Sequence, residues 1–280
     1  MQNHRARTER SIERRRDTSA WSSLPPAHVI VRGTCVSGED KVRVMSCYST
    51  FMPIPKTLND GFFKKWSPEM AYVLGYFAAD GSMLRNKRGA HFIEFTTTDR
   101  ILLRHLLTTT NSNHKVQTRS RKGKKANWKI QYRIQIGSKE WFTDLIALGF
   151  TERKSLSLCF PLIPKSCVAH FIRGYFDGDG CVYFQHLKYA DRVKKRWVLQ
   201  TLFTSGSRLF LVSLHETLKR HGIKKGSLRK KTRGFELVFS HHDSLALYKL
   251  MYHTNPTSSL FLPRKRVKLE RAIRTLGLDE

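Results

Sequence analysis

Two stretches of this 280-residue chain share one pattern: YFAADGSM at Tyr76–Met83 and YFDGDGCV at Tyr175–Val182. Each stretch has two aromatic residues, a short step of small or acidic residues, and then Asp-Gly. Because Asp-Gly is a common turn pair, a single copy would indicate only that a turn follows. Two copies about one hundred residues apart indicate an internal duplication.

Each copy lies at the end of a predicted helix. Before the first copy, apolar residues recur at helical spacing after the helix-opening sequence Ser67-Pro68-Glu69, and Asp80-Gly81 ends the helix. The flanking strands and helices then repeat, so each half predicts the order α-β-β-α-β-β-α in an α+β fold with antiparallel sheets. We expect a basic, largely irregular extension over residues 1–61 and two similar halves over residues 62–165 and 166–280.

The composition indicates a polyanionic partner. Lys and Arg number 51 against 22 Asp and Glu, which gives a net charge of +29, and 40% of the residues are hydrophobic. The chain can bury a core, but its excess charge is best accommodated by nucleic acid rather than by a membrane surface. Without a long apolar run or an apolar signal core, we expect an unsecreted protein with no transmembrane segment, in the bacterial cytoplasm or an organellar matrix.

Small residues line one side of each Asp-ended helix. The stripe of the first helix comprises Ala71, Gly75 and Ala79, and the matching positions of the second are His170, Gly174 and Gly178. Gly inside a helix costs about 0.5–1 kcal/mol relative to Ala, so two such stripes need a reason. Because small residues allow two helix backbones to approach closely, we predict that the helices pack together at Gly75 and Gly174.

This pairing would bring Asp80 and Asp179 together. A carboxylate at a helix C-terminus opposes the helix dipole, at a cost of roughly 0.3–1 kcal/mol, and two carboxylates in one site repel each other. A divalent cation relieves both problems, and oxygen ligands favour Mg²⁺. Two metal-binding acids on a basic scaffold indicate phosphodiester hydrolysis by a metal-activated water.

The two copies resemble the signature of the LAGLIDADG homing endonucleases, which maps onto Val73–Gly81 and Ile172–Gly180. The resemblance covers roughly residues 62–275 and, with two copies in one chain, is similar to the monomeric, pseudo-symmetric branch. It implies paired motif helices at the centre of a DNA-binding saddle formed by the sheets. It also implies site-specific cleavage of double-stranded DNA at a long, pseudo-palindromic or asymmetric target, leaving a short staggered break.

The resemblance further implies which residues hold the metal. The acids Asp80 and Asp179 would bind it, assisted by the backbone carbonyls of Ala79 and Gly178. We expect Mn²⁺ to substitute for Mg²⁺, and Ca²⁺ to occupy the site without supporting cleavage.

The chain departs from the signature at two positions. Ala78 stands where the motif has its first acid, whereas the second copy keeps Asp177. Since this position is not the metal ligand in the family, we expect activity to survive and Asp177 to pair with a base or a capping N–H. Arg173 replaces a small apolar residue, and we expect its side chain to extend towards solvent.

Polar residues alternate along the strands that would contact DNA. In Trp128–Ile136 the outward face has Lys, Gln and Arg, which suit guanine and adenine edges in the major groove, although a solvated strand face would show the same alternation. The predicted base-contacting residues of the first half are Lys115, Gln117, Arg119, Lys129, Gln131, Arg133 and Gln135. Those of the second half are fewer: Gln185, Gln200, Arg229 and Lys231.

Cationic segments and strand ends supply further candidates. We assign Arg119–Lys129, Arg192–Arg196 and Pro263–Lys268 to loops that contact phosphates. Because the family places polar or basic residues beside the metals, the auxiliary catalytic candidates are Thr97 and Ser205 after the second strand of each half, and Lys139 and His241 after the fourth. Lys139 could stabilise the developing phosphorane charge, or it could be an exposed lysine at a helix start.

Two other functions remain open for the same scaffold. An intron RNA maturase would use the same basic surface for RNA, and a non-catalytic regulator would use it for DNA alone. Loss of an acid would favour either function, but this sequence retains both Asp80 and Asp179.

Overall fold

The structure is a computed structural model that describes residues 55–119, 129–188, 190, 193–253 and 260–278. The first half begins with the helix that carries the first motif. Its elements are α1 (Pro68–Asp80), β1 (Gly81–Arg85), β2 (His91–Thr97), α2 (Arg100–Thr109), β3 (Gln117–Arg119), β4 (Gln131–Gly137), α3 (Lys139–Ala147) and a short α4 (Lys154–Ser157).

The second half repeats this order after a 3-10 turn at Lys165–Cys167. Its elements are α5 (Val168–Asp179), β5 (Gly180–Leu187), β6 (Arg196–Ser205), α6 (Arg208–Arg220), β7 (Ser227–Lys231), β8 (Gly234–Ser240), α7 (His241–Tyr252) and α8 (Pro263–Thr275). The predicted α+β fold with two similar halves is therefore confirmed. The halves differ at their ends, because α8 is a long helix where the first half has only the four-residue α4.

Each half contains a four-stranded antiparallel sheet, in the order β1-β2-β4-β3 and β5-β6-β8-β7. In the first sheet Phe95 pairs with Ile134, and both side chains are buried. Alternate residues of each strand point away from that core, so the second face of each sheet is left to solvent. One hydrophobic core joins the two halves, and residues of α1 and α5 lie within it.

Local signals explain the helix starts. The Ser67 hydroxyl accepts a hydrogen bond from the Met70 amide at 3.1 Å, with Pro68 at the first helical position. Ser138 and Ser207 cap α3 and α6 in the same way, through the amides of Trp141 and Phe210.

Three sequence-based predictions about segments were wrong. Pro263–Lys268 is not a loop but the first two turns of α8. Lys115 and Lys129 do not lie within strands, since β3 begins at Gln117 and β4 at Gln131. Most of the predicted loop between Arg119 and Lys129 falls outside the described residues, as do Asp191 and Arg192. Among the described residues, no helix is long and apolar enough to cross a membrane.

Candidate active site

The helices α1 and α5 pack against each other at two glycines. A Cβ atom on Gly75 would lie 2.1 Å from the carbonyl oxygen of Phe171, and one on Gly174 would lie 2.0 Å from that of Tyr72. Both distances are far below van der Waals contact, so any side chain at these positions would push the helices apart. The structure thus places the two glycines of the small-residue stripes at the helix crossing.

The crossing brings the helix ends together. A Cβ atom on Gly178 would lie 2.3 Å from the Cβ atom of Ala79 and 3.3 Å from Oδ2 of Asp80. The Asp80 carboxylate is therefore next to the last turn of α5, which ends at Asp179. All four residues predicted to form the metal site lie in this one region.

α1 and α5 end in the same way. After Asp80 and Asp179 the chain turns at once into an extended conformation, and β1 and β5 begin at the following glycine. A Cβ atom on Gly81 would lie 2.1 Å from the Phe77 ring, and one on Gly180 would lie 2.1 Å from the Phe176 ring. The glycine after each acid is thus required by the aromatic residue one helical turn earlier.

The protein environment disfavours charge on both acids. Asp80 is exposed and Asp179 is half-buried, yet the surrounding protein removes much of the water from their carboxyl groups. This loss of water, together with the nearby Asp179 carboxylate, raises the pKa of Asp80 to about 6. Loss of water also raises the pKa of Asp179. The site therefore favours a positively charged group between the two acids.

Two buried lysines lie beside the acids. Lys154, at the start of α4, donates from Nζ to the Ala78 carbonyl at 2.7 Å, and Lys265, in the first turn of α8, donates to the carbonyls of Phe176 and Gly180 at 2.5 and 2.6 Å. Each lysine is only 6% exposed. They satisfy carbonyl groups that the helices leave free at their C-termini.

The lysines also balance the charge of the acids. Burial lowers the pKa of Lys154 to about 8, while the negative charges of Asp179 and Asp80 oppose this decrease. Burial likewise lowers the pKa of Lys265 to about 8. In return, the positive charges of both lysines limit the increase in the pKa of Asp80 and in that of Asp179. At neutral pH the two lysine side chains are mostly protonated and lie beside the two acids.

Neither lysine was among the residues predicted from the sequence. Lys154 lies in the sequence TERKSL with no periodicity around it, and Lys265 lies in the basic segment that we assigned to phosphate contacts. The correspondence between the two halves gives the available signal, since Lys154 follows α3 and Lys265 follows the equivalent helix α7. Lys265 is buried against α5, so a phosphate contact by its exposed side chain was the wrong prediction for this residue.

Lys139 and His241 are not brought to the aspartates, which corrects the prediction of their catalytic role. Gly81, the first residue of β1, pairs with Phe95 of β2, which in turn pairs with Ile134 of β4. From Ile134, β4 continues for three more residues away from the aspartates and ends at Gly137. At about 3.3 Å per residue this is about 10 Å away, and Lys139 lies beyond it. His241 follows Ser240 at the corresponding far end of the second sheet.

Thr97 and Ser205 lie at the near end of their sheets, but their hydroxyls are engaged in turns. The Thr97 hydroxyl accepts a hydrogen bond from the Asp99 amide, and the Ser205 hydroxyl accepts one from the Ser207 amide, each at 3.1 Å. Both residues are buried. These contacts give each a structural role at the start of the following helix, and their catalytic role stays a prediction.

The donor set at the helix ends suits a hard cation. Among the described residues no group of three His, Cys, Asp or Glu converges, so any ion would have two carboxylates plus carbonyl and water oxygens. Mg²⁺ accepts this combination because it retains several waters. Of the two predicted ligand carbonyls, that of Gly178 is also 3.3 Å from Nζ of Lys265, so the lysine and an ion would share it.

The outer face of the first sheet has a connected polar cluster. Gln131, Arg133 and Gln135 alternate with the core residues of β4, and Gln117 lies opposite Arg133 on β3. The Arg133 guanidinium donates to the Gln117 side-chain oxygen at 2.8 Å and to Glu94 at 3.3 Å. These bonds hold the guanidinium in one orientation on a surface that is otherwise open.

The second sheet has the opposite charge at the equivalent position. Glu236 pairs with Thr204 on β6, as Arg133 pairs with Thr96 on β2. Lys231 donates to Glu236 at 2.7 Å, and Arg229 lies opposite it on β7. The predicted residues Gln185 and Gln200 lie on this same face, one on β5 and one on β6. The two outer faces are therefore similar in framework and different in chemistry.

Comparisons with known proteins agree with this architecture. The family model of the LAGLIDADG-like domain matches residues 67–146, which include α1, the first sheet and most of α3. Residues 67–146 form a LAGLIDADG-like domain. Among curated proteins, none matches the sequence significantly.

Solved structures extend the likeness in fold over about three quarters of the chain. One is the LAGLIDADG meganuclease I-AabMI bound to uncleaved DNA, at 15% identity and a TM-score of 0.51, covering 76% of this chain and 91% of that one. Another is the meganuclease I-SmaMI bound to uncleaveable DNA, at 16% identity and a TM-score of 0.50, covering 74% and 89%. At these identities the likeness shows the fold, which is that of the LAGLIDADG homing endonucleases.

Proposed function

We propose that this protein is a site-specific DNA endonuclease that hydrolyses one phosphodiester bond on each strand of a duplex with a divalent metal, preferably Mg²⁺. The observation that carries the proposal is the meeting of Asp80 and Asp179 at the ends of two helices packed through Gly75 and Gly174. Two acids with raised pKa values, placed between two sheets of a chain with a net charge of +29, suit metal-dependent chemistry on a polyanion.

The carboxylates of Asp80 and Asp179 would hold the metal, with the Ala79 and Gly178 carbonyls as further oxygen ligands. When bound, the ion lowers the pKa of a coordinated water and stabilises charge on the phosphate. The tight helix crossing fixes the two acids relative to each other, so the ligands are preorganised before DNA arrives.

Lys154 and Lys265 would act as fixed positive charges close to the scissile phosphates. Each has a buried stem and an ammonium group fixed by backbone carbonyls close to one acid. A fixed cation next to the reacting phosphate stabilises the negative charge that develops in the transition state. One lysine from each half would give each strand its own fixed cation, which fits cleavage of two strands by one monomeric chain.

The outer faces of the two sheets would bind the duplex. Long polar side chains on β3, β4, β7 and β8 suit hydrogen bonding to base edges in the major groove, and the remaining basic residues suit phosphate contacts. The sheets would form a saddle over about two turns of duplex, with the acids facing the minor groove at its centre. I-AabMI and I-SmaMI, which have this fold, are described in complexes with DNA.

A randomised duplex library incubated with Mg²⁺ tests the proposal directly. We expect the wild-type protein to yield specific, staggered ends on sequencing, and Asp179→Asn to yield none while still enriching the same sequences by binding. Binding should fall steeply as salt rises, because many phosphates are neutralised. Specific binding without cleavage by a folded, metal-supplied wild-type protein would contradict the endonuclease and indicate a non-catalytic regulator.

A further inference from the structure

In the second half, a buried carboxylate holds the start of α8. The Tyr72 hydroxyl donates to Oδ2 of Asp177 at 2.8 Å, and the Leu262 amide donates to the same oxygen at 2.8 Å. Leu262 is the residue that immediately precedes α8, and Asp177 is only 2% exposed. We expected Asp177 to pair with a base or a capping N–H, and its partner is the amide of the residue just before α8.

Arg173 completes this network from inside the protein. It is 1% exposed rather than extended to solvent, which corrects the expectation for this residue. Its guanidinium donates to the carbonyls of Met251 at 2.8 Å and Leu260 at 3.1 Å, and it contacts Nδ1 of His170 at 3.0 Å. The last turn of α7 and the chain just before α8 are thus both attached to α5.

The network determines where Lys265 lies. The Lys265 amide donates to the Leu262 carbonyl at 3.1 Å, so the lysine is one turn beyond the residue that Asp177 holds. Its Nζ reaches four carbonyls at the end of α5, those of Phe176, Asp177, Gly178 and Gly180. A shift of Leu262 would therefore move the ammonium group away from the active site.

The first half supports its lysine in a different way. Ala78 and Leu74 occupy the positions equivalent to Asp177 and Arg173, so the polar network has no counterpart there. Lys154 instead contacts the Ala78 carbonyl and lies 5.4 Å from the centre of the Phe77 ring. The fold therefore does not require a buried acid at this position of the helix.

We propose that Asp177, assisted by Tyr72 and Arg173, is a positioning residue for Lys265, and that it supports the cleavage of one strand only. The inference rests on the proposed function for its kinetic consequence, but the position of Lys265 can be measured without DNA. A buried acid that served stability alone would affect both strand cuts equally, because unfolding removes the whole site.

The first experiment measures lysine reactivity in the folded, full-length protein. An amine-acylating reagent is applied to wild type, Asp177→Ala, Asp177→Asn and Tyr72→Phe, and modification is followed by mass spectrometry. We expect Asp177→Ala to increase the acylation rate of Lys265 by about ten-fold or more, with Lys154 unchanged as the internal control. Asp177→Asn should remain close to wild type, because its amide oxygen can still accept the Leu262 N–H. Tyr72→Phe should fall in between.

The second experiment follows each DNA strand separately with end labels. We expect Asp177→Ala to slow one strand cut by about 10- to 100-fold and the other by less than about two-fold, so that nicked duplex accumulates. Asp177→Asn should restore the slower cut. If Asp177→Ala does not fold, Tyr72→Phe gives the same test with a smaller expected effect.

Equal slowing of both strands, or unchanged protection of Lys265 in folded Asp177→Ala, would overturn the inference. A wild-type protein that cuts no DNA would refute the proposed function instead. In that case the acylation rates still decide whether Asp177 positions Lys265.

Discussion

The backbone carbonyl of Phe171 lies where a Cβ atom of residue 75 would be, 2.1 Å from its ideal position. Replacing Gly by Ala inside a helix ordinarily gains about 1 kcal/mol of helix propensity. Overpacking costs about 1–3 kcal/mol or more, and here the obstacle is backbone rather than a flexible side chain. We expect Gly75→Ala and Gly174→Ala each to lower the free energy of unfolding by at least about 2 kcal/mol, measured by urea denaturation.

Gly61→Ala provides the matched control for these two variants. An added Cβ atom there would meet only the Asn59 side-chain oxygen at 3.7 Å, which is an ordinary contact. Its free energy of unfolding should change by less than about 0.5 kcal/mol. A similarly small decrease in the free energy of unfolding in all three variants would contradict close backbone contact between α1 and α5.

The acids should separate cleavage from binding. Asp80→Asn and Asp179→Asn keep the side-chain size but remove a charged metal ligand, so we expect double-strand cleavage to be lost while affinity for the target persists. Cleavage assays and mobility shifts on the selected target measure the two properties. Asp60→Asn, at an exposed position outside the site, should cleave like wild type. Undiminished cleavage by either active-site variant would refute the assignment.

The raised pKa of Asp80, about 6, predicts a pH dependence of stability in the absence of metal. Between about pH 4 and 6 the folded protein holds a proton on Asp80 that the unfolded chain has released, so the free energy of unfolding falls as pH rises. Asp177, whose pKa burial also raises to about 6, contributes in the same direction. Asp80→Asn should show a smaller fall and be more stable than wild type at pH 7.

Added Mg²⁺ should oppose the decrease in the free energy of unfolding with rising pH. An ion that binds the two carboxylates only in the folded protein stabilises the folded state. Thermal melting from pH 4 to 8, with and without Mg²⁺, measures both effects. Identical dependence of the melting temperature on pH in wild type and Asp80→Asn would show that protonation of Asp80 is not coupled to folding.

The buried lysines should matter for chemistry more than for affinity. We expect Lys154→Met and Lys265→Met each to reduce the cleavage rate by about 100-fold, because a fixed cation near the reacting phosphate is lost. Lys139→Met removes the same charge from the far end of the first sheet and should cleave at nearly the wild-type rate. Single-turnover kinetics on the selected target decide this, and a large effect of Lys139→Met would restore that residue as a catalytic candidate.

Arg133 and Glu236 should discriminate bases in different half-sites. Arg133, held by Gln117 and Glu94, suits guanine, whereas the carboxylate of Glu236 suits the amino group of cytosine. Arg133→Ala and Glu236→Gln should each reduce discrimination at one base pair by about 1–3 kcal/mol, as measured by binding selection. Lys219→Ala, on α6, should leave the preferred sequence unchanged. Loss of preference spread evenly over the target would contradict direct base contacts.

The sequence predicts the parts of this protein that depend on local patterns. Helical spacing, caps and the repeated Asp-Gly identify α1 and α5. Alternation along β4 also predicts which side of the strand faces out. In each case the relevant residues are neighbours in the chain, so the sequence contains the signal.

The parts that depend on tertiary packing were missed. Lys154 and Lys265 acquire their place only when α4 and α8 pack against the motif helices, and neither lysine has a local signature. α8 was overlooked because its start is strongly basic, although Leu269, Ala272 and Ile273 follow at helical spacing. Lys139 and His241 were misplaced because β4 and β8 run in the same direction as β1 and β5, so they end at the side of each sheet away from the aspartates.

The unequal support of the two lysines has a practical consequence. Lys265 is held by a polar network, whereas Lys154 contacts an aromatic ring and one carbonyl, so under the proposed function the two halves would lose activity independently. A substitution in the network that holds α8 would then convert the proposed endonuclease into a nickase. The same difference means that drift in either half would first produce single-strand breaks, an intermediate stage between an active endonuclease and an inactive DNA-binding protein.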